Sequence, residues 1–145
     1  MQAQIKMKTN FSVMWNKSRQ RRKQRKYRFN APLHVRHKLI AAGLSEELAK
    51  KYHRRSFPVR KGDIVKVLNG KFKDKTGKIS IVNLKKLKIN IEGLQTQKKD
   101  GTKINIVFNP GNLQIQEINL DDKKRLEAIN RQKKEENKIN KEEKK

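Results

Sequence analysis

Eight basic side chains fall between Lys17 and Arg28: Lys17, Arg19, Arg21, Arg22, Lys23, Arg25, Lys26 and Arg28. No acidic residue stands among them, and Tyr27 and Phe29 are interleaved at the end of the run. Residues of these types suit one kind of chemistry. Guanidinium groups fork onto phosphate oxygens, and ammonium groups act as mobile point charges. An aromatic ring in such a run can stack on an unpaired base while the cations follow the backbone. Basic runs of this kind also serve as nuclear import signals. A merely solvated charge run is the bland alternative. Contact with nucleic acid is favoured over it, because nothing acidic nearby neutralises the run and each neutralised phosphate releases counterions.

The whole chain shares this bias. Its net charge is +25, from 39 Lys and Arg against 14 Asp and Glu. Residues 1–61 carry 18 basic and 2 acidic side chains, a net of +16. Residues 62–118 carry 11 and 5, a net of +6, and residues 119–145 carry 10 and 7, a net of +3. Most of the excess therefore precedes the segment best suited to folding. A field of this size repels itself unless a polyanion neutralises it. A membrane surface would call for a broad apolar helix face or a lipidation signal, and neither is evident. No apolar run is long enough for a membrane span or a signal-peptide core. The chain has no cysteine, so disulfides and thiolate zinc sites are excluded.

Only 33% of residues are hydrophobic, so a core spanning the full length is not expected. A core of roughly 60 residues with polar extensions fits better. The expected organiser is Pro58 to Glu92. Asp63 to Leu68 reads as a first strand, and Asn69-Gly70 as a tight turn. Lys71, Lys73 and Lys75 follow, with Phe72 among them, and Gly77 to Val82, which includes Lys78, reads as a second strand. After a basic turn at Lys85-Lys86, Leu87 to Glu92 alternates as a half-buried third strand that Gly93 breaks. Asp100-Gly101 and Asn109-Pro110-Gly111 are turns, and Leu113 to Ile118 closes the set. Five short strands joined by Gly and Asn turns predict a mainly β fold, a small SH3-like barrel. Its expected core is Ile64, Val67, Ile79, Ile81, Leu87, Ile89, Ile91, Ile106, Leu113 and Ile115.

Helices are expected before the barrel. Asn30 is a candidate N-cap, Val35, Leu39 and Ile40 fall at helical spacing, and Gly43 would terminate the helix. Ser45 should cap a second helix, with Glu46 and Glu47 in its first turn, running to about Tyr52. The organisation expected is a basic arm over 1–29, short helices over 30–57, the barrel over 58–118 and a charged helical or disordered tail over 119–145. His34, His37 and His53 are poorly spaced for a metal site, and no carboxylate or thiol lies near in sequence to complete a ligand set. Asp63, Asp74, Glu92 and Asp100 are scattered over turns and strand ends, more simply turn formers or surface charges than catalytic groups. No nucleophile–base pair or phosphate-cradling GK[ST] loop is present. Neither an enzyme, a metal nor a cofactor is therefore expected.

The segment Asp63 to Ile91 resembles the KOW motif of ribosomal and transcription-associated proteins. The likeness rests on Val65-Lys66-Val67, Gly70, Phe72-Lys73, Gly77-Lys78 and Ile79 to Val82. Two flanking blocks sharpen it. One runs from Phe29-Asn30-Ala31-Pro32 through His34-Val35-Arg36-His37-Lys38 and Leu44 to Leu48, ending at Arg54 to Arg60; the other is Lys99 to Thr102 with Asn109-Pro110. Together they resemble the eukaryotic KOW-domain ribosomal protein family of the large subunit, number twenty-six in eukaryotic naming and twenty-four in universal naming. Asp74 departs from the pattern, standing where that family often has glycine.

The resemblance implies a structural role: binding large-subunit rRNA near the peptide exit tunnel, beside neighbouring ribosomal proteins and factors at the tunnel exit, and supporting subunit assembly. It implies a cytoplasmic ribosomal location, with nuclear and nucleolar passage in a eukaryotic cell. RNA contact would fall to Lys17, Arg19, Arg21, Arg22, Lys23, Arg25, Lys26 and Arg28, then His34, Arg36, His37 and Lys38. It would continue through Arg54, Arg55, Arg60 and Lys61 to the loop residues Lys71, Lys73, Lys75, Lys78, Lys85 and Lys86. Gly70 and Gly77 would let the backbone approach RNA closely. A KOW-containing transcription elongation or RNA-processing factor is the alternative reading.

Overall fold

The computed structural model describes residues 10–130. The elements run α1 (Arg21–Asn30), α2 (Leu33–Leu39), β1 (Ala41–Leu44), α3 (Glu46–Tyr52), β2 (Ser56–Pro58), β3 (Ile64–Val67), β4 (Thr76–Asn83), β5 (Lys88–Gln97), β6 (Lys103–Phe108) and β7 (Leu113–Glu117). A 3-10 turn precedes α1 at Val13–Lys17, and another, Pro110–Asn112, leads into β7. A final helix, α4, covers 123–130. The rest of the expected tail, and residues 1–9 of the arm, lie outside the described residues.

The strands form one sheet in the order β2-β1-β7-β3-β4-β5-β6. The fold is mainly β, a small SH3-like barrel, as the alternating runs predict. Among the described residues seven strands are seen where five were expected. One extra strand, β1, comes from residues expected to be helical, and the other, β2, lies between the expected end of the second helix and the barrel. Gly43 does not terminate a helix: α2 already ends at Leu39, and Ala41–Leu44 pairs antiparallel with Ser56–Pro58 and parallel with β7. Nor is Asn30 an N-cap; it ends α1, and Pro32 precedes α2. Pro32 is suited to that place because its φ is preset and it has no N–H to leave unpaired. The α3 expectation holds closely. The Ser45 hydroxyl accepts from the Leu48 N–H, two glutamates occupy the first turn, and the helix stops at Tyr52.

Bulges decide which face of each strand is buried. Ile79 pairs with Ile91, but the register shifts before Ile81 pairs with Asn90. One extra residue in β4 reverses the sides, since side chains alternate with period two. Ile79 is therefore fully buried, Ile81 is 57% exposed, and Val82 turns partly inward. In β3 the inward residues are Val65 and Val67, both without exposed surface, so Ile64 is displaced from its expected core place. Gly93 does not break β5. Its φ of +77 bends the strand within a register shift, so that Ile91 and Leu94 are both buried. Ile89, Ile91, Leu113 and Ile115 are core as expected, while Leu87 and Ile106 pack against it half-buried. Ile40, Ala42, Leu44, Tyr52, Phe57 and Val59, all from before β3, join the same cluster. Each fully buried large aliphatic chain contributes about 1.5–3 kcal/mol.

One polar pair lies inside this core. Asp63, read from sequence as a turn former or surface charge, has no exposed surface, and Arg125 of α4 is 3% exposed. Arg125 Nη1 and Nη2 donate to the two Asp63 carboxylate oxygens at 2.6 and 2.7 Å. The carboxylate also accepts from the Arg60 and Asn119 backbone N–H groups, at 2.8 and 3.0 Å. Arg125 donates further to the Asn119 and Pro58 carbonyls, and its guanidinium lies 5.3 Å from the Phe57 ring. Removing one partner of such a pair strands a buried charge. Arg125→Met is thus expected to lower unfolding stability by about 3–5 kcal/mol, and the double variant Asp63→Leu/Arg125→Met by much less. Urea unfolding measures both, and a single-variant loss under about 1 kcal/mol would show that the pair is not buried as described.

Candidate nucleic-acid interface

The basic run expected to be an arm is structured. Residues 21–30 form α1, in keeping with the helix propensity of Arg, Lys and Gln. The helix starts without a side-chain cap and with cations in its first turn, against its own dipole. A short helix of this kind is marginal alone, so its neighbours must hold it. Gln24 Nε2 donates to the carbonyls of Asn16 and Ser18, both at 2.7 Å, and Asn30 Nδ2 donates to the Asn10 carbonyl at 2.9 Å. Tyr27 is buried, with the Phe11 ring 5.3 Å away, and Phe11 meets Trp15 edge-on at 6.3 Å. Trp15, which belongs to no motif in the sequence, also carries Lys26 Nζ 4.7 Å from its ring centroid.

Burial of Tyr27 removes it as a stacking ring for RNA. Phe29 is left, at 82% exposure. Arg22, Arg25, Lys26 and Phe29 fall at helical spacings of three, four and seven, so they share one face. That face borders an open cleft of about 1090 Å³, lined also by Arg28, Lys85 and Lys86. Leu39, Ala41 and Leu87 give the cleft apolar surface, Asn30, Asn109, Pro110 and Gly111 complete it, and no acidic residue among the described ones lines it. Six of the residues expected to contact RNA are brought together here from two segments far apart in sequence.

Arg36 makes this assembly rigid. Its Nε donates to the Ala31 carbonyl at 2.7 Å, its Nη1 to the Lys85 carbonyl at 2.8 Å, and its Nη2 to the Phe29 carbonyl. A side chain expected to face RNA thus clamps the end of α1 to the β4–β5 turn. The turn has its own constraints. Asn83 Oδ1 accepts from the Lys86 N–H at 3.0 Å, and Leu87 adopts φ +52. For a residue with a side chain this left-handed backbone costs about 1 kcal/mol.

The remaining expected contacts are dispersed. Lys17 ends the 3-10 turn, and Arg19, Arg21 and Lys23 are exposed around the start of α1. His34, His37 and Lys38 are exposed on α2. His37 borders a second cleft, of about 590 Å³, together with Arg60, Lys61, Val82 and Leu84. Arg60 is also paired with Asp122, whose carboxyl is held below the usual range, chiefly by that hydrogen bond and then by the Lys124 N–H. Arg54 packs against Phe57, 5.6 Å from its ring, and Arg55 is exposed. His53 takes φ +51 at the C-cap of α3, so its place is explained by helix termination. Among the described residues no group of three or more potential ligands gathers to hold a metal ion.

Lys71, Lys73, Lys75 and Lys78 are exposed on the β3–β4 loop and the strand after it, away from the larger cleft. Lys75 Nζ lies 5.3 Å from the Phe72 ring, which packs edge-on against Phe108. Asp74 adopts φ +64, the left-handed conformation open to glycine without cost. Its carboxylate accepts from Lys66 at 2.9 Å, and that bond, more than the charge itself, holds its pKa below the usual value. The two loop glycines differ in what they do. Gly70 has φ +99 and open space around it. Gly77 lies under β5, where an added Cβ would come within 2.5 Å of Ile91 Cγ2. Packing inside the protein therefore accounts for Gly77. Arg36→Gln is expected to cost about 1–3 kcal/mol of stability and to speed tryptic cleavage within α1. Unchanged urea unfolding and cleavage rates would rule out the clamp.

A family model of ribosomal proteins, described as L26 for its eukaryotic members and L24 for its archaeal ones, matches residues 18–132. The chain is also 46% identical over 114 residues to the large ribosomal subunit protein uL24 of Methanosphaera stadtmanae, covering 79% of this chain and 97% of that protein. The match to the family takes in α1, both clefts, the whole sheet and the Asp63–Arg125 pair, and so the chain belongs to the ribosomal protein family that comprises eukaryotic L26 and archaeal L24.

Proposed function

We propose that this protein is a structural, rRNA-binding constituent of the large ribosomal subunit. The observation that carries the reading is the cleft between α1 and the β4–β5 turn, which among the described residues is lined by Arg22, Arg25, Lys26, Arg28, Lys85 and Lys86 and by no carboxylate. Six convergent cations with no carboxylate among them are matched by phosphates, whose binding releases counterions. Arg36 fixes the backbone that carries these cations, which lowers the ordering cost of binding. Family membership makes the polyanion rRNA and makes neighbouring ribosomal proteins the natural protein partners. It also supports a site near the exit of the peptide tunnel, a part in subunit assembly and translation, and passage through the nucleolus if the source cell is eukaryotic.

The role is one of binding and scaffolding, without catalysis. Asp63 is consumed by Arg125 and two backbone N–H groups, and Asp74 is paired with Lys66. Among the described residues no helix is long and apolar enough to cross a membrane.

The five-site variant Arg22→Gln/Arg25→Gln/Arg28→Gln/Lys85→Gln/Lys86→Gln, which removes the charge at each position, tests the reading. With five phosphate contacts removed, the slope of log K against log salt on large-subunit rRNA should become shallower by about 4. Replacing Lys123 and Lys124 of α4 by Gln should change it far less. Equal slopes for the wild type and the five-site variant would refute the cleft as the RNA-binding surface.

A further inference from the structure

Phe29 is the aromatic side chain that lines the cleft, and it stands exposed. Its carbonyl accepts from Arg36, but its ring is 82% exposed on a helix whose other aromatic, Tyr27, is buried. The same helical face carries Arg25, one turn before it. Opposite stand Lys85 and Lys86, on a turn that holds Leu87 at φ +52. Leu39 and Leu87 supply an apolar floor. A duplex backbone alone makes no use of an apolar floor beside an exposed ring, whereas an unpaired nucleotide uses both. Its base offers a π-face and an apolar edge, and its flanking phosphates offer charge.

We propose that the cleft takes an unpaired nucleotide whose base stacks on Phe29 and rests against Leu39 and Leu87, with its flanking phosphates held by Arg25, Lys85 and Lys86. The proposal rests on the RNA-binding reading above and adds to it a strand class and a positioning ring. Phosphate contacts fix the register, and the ring selects for a base free of its stack. The selection is for an unpaired base over a paired one, with little preference among the four bases, since each has a π-face.

The test compares the full chain with Phe29→Ala and Phe29→Trp. The probes are a single-stranded RNA oligonucleotide carrying a fluorescent adenine analogue and the same strand annealed to its complement. Binding to the single strand should quench the analogue in the wild type and in Phe29→Trp. Phe29→Ala should bind the single strand about 5- to 100-fold more weakly without quenching, and the duplex as tightly as the wild type. Its thermal midpoint should be unchanged, because the ring is exposed. Equal losses on both probes, or no loss on either, would overturn the stacking proposal and leave the RNA-binding reading standing. Failure of the wild type to bind either probe or large-subunit rRNA would overturn both.

Discussion

A buried carboxylate holds four segments of this protein in place. Asp63 stands at the start of β3, and its two oxygens are met by the exit of β2 at Arg60, the chain after β7 at Asn119, and Arg125 of α4. Two charges inside a protein are tolerable only when their bonds are satisfied, and here the bidentate geometry and two backbone donors meet most of the demand. The pair adds a directional lock to the apolar contacts there, where Phe57, Val59 and Ile129 of α4 belong to the same buried cluster. Arg125 reinforces it by bonding the Pro58 carbonyl and lying against Phe57 of β2. The strand added before the barrel and the helix added after it are thereby tied to one point.

The proposed binding surface is built on the same sheet. β1 and β2 extend the sheet beyond β7, and α2, which precedes them, is set against its edge. Arg36 on α2 then reaches both α1 and the β4–β5 turn. The six cations of the larger cleft are brought close against their mutual repulsion, and fixed backbone carbonyls receiving Arg36 are what hold them there. In the proposed role this is preorganisation: the cost of gathering like charges is met in folding, so rRNA would meet a surface already shaped to it.

Much of this was legible in the sequence. Ser45 with Glu46 and Glu47 announced α3, and the alternating runs announced the barrel, because caps and period-two patterns are local signals. The flanking blocks identified the family where the KOW segment alone did not. Other features were not local. The bulge beside Ile79 sent Ile81 outward, and no residue type marks a bulge there. Asp63 and Arg125 lie 62 residues apart, the second in a mixed-charge tail where nothing sets one arginine apart from its neighbours. The basic arm looked unstructured because its helix has no apolar stripe; its fixed points are Tyr27, Phe11 and the amide of Gln24. Arg36 read as one RNA-facing cation among many, and only its three carbonyl partners reveal it as a clamp. Gly77 read as a loop glycine, yet its neighbour is Ile91 across the sheet.

The central claim is that the gathered cleft, more than the total charge, meets the RNA. Ultraviolet crosslinking of the full chain to large-subunit rRNA, with the crosslinked peptides read by mass spectrometry, tests it most directly. Crosslinks should concentrate in residues 21–30 and 84–87. Crosslinks confined to the α3 lysines or to the strands, with none in those two segments, would contradict it.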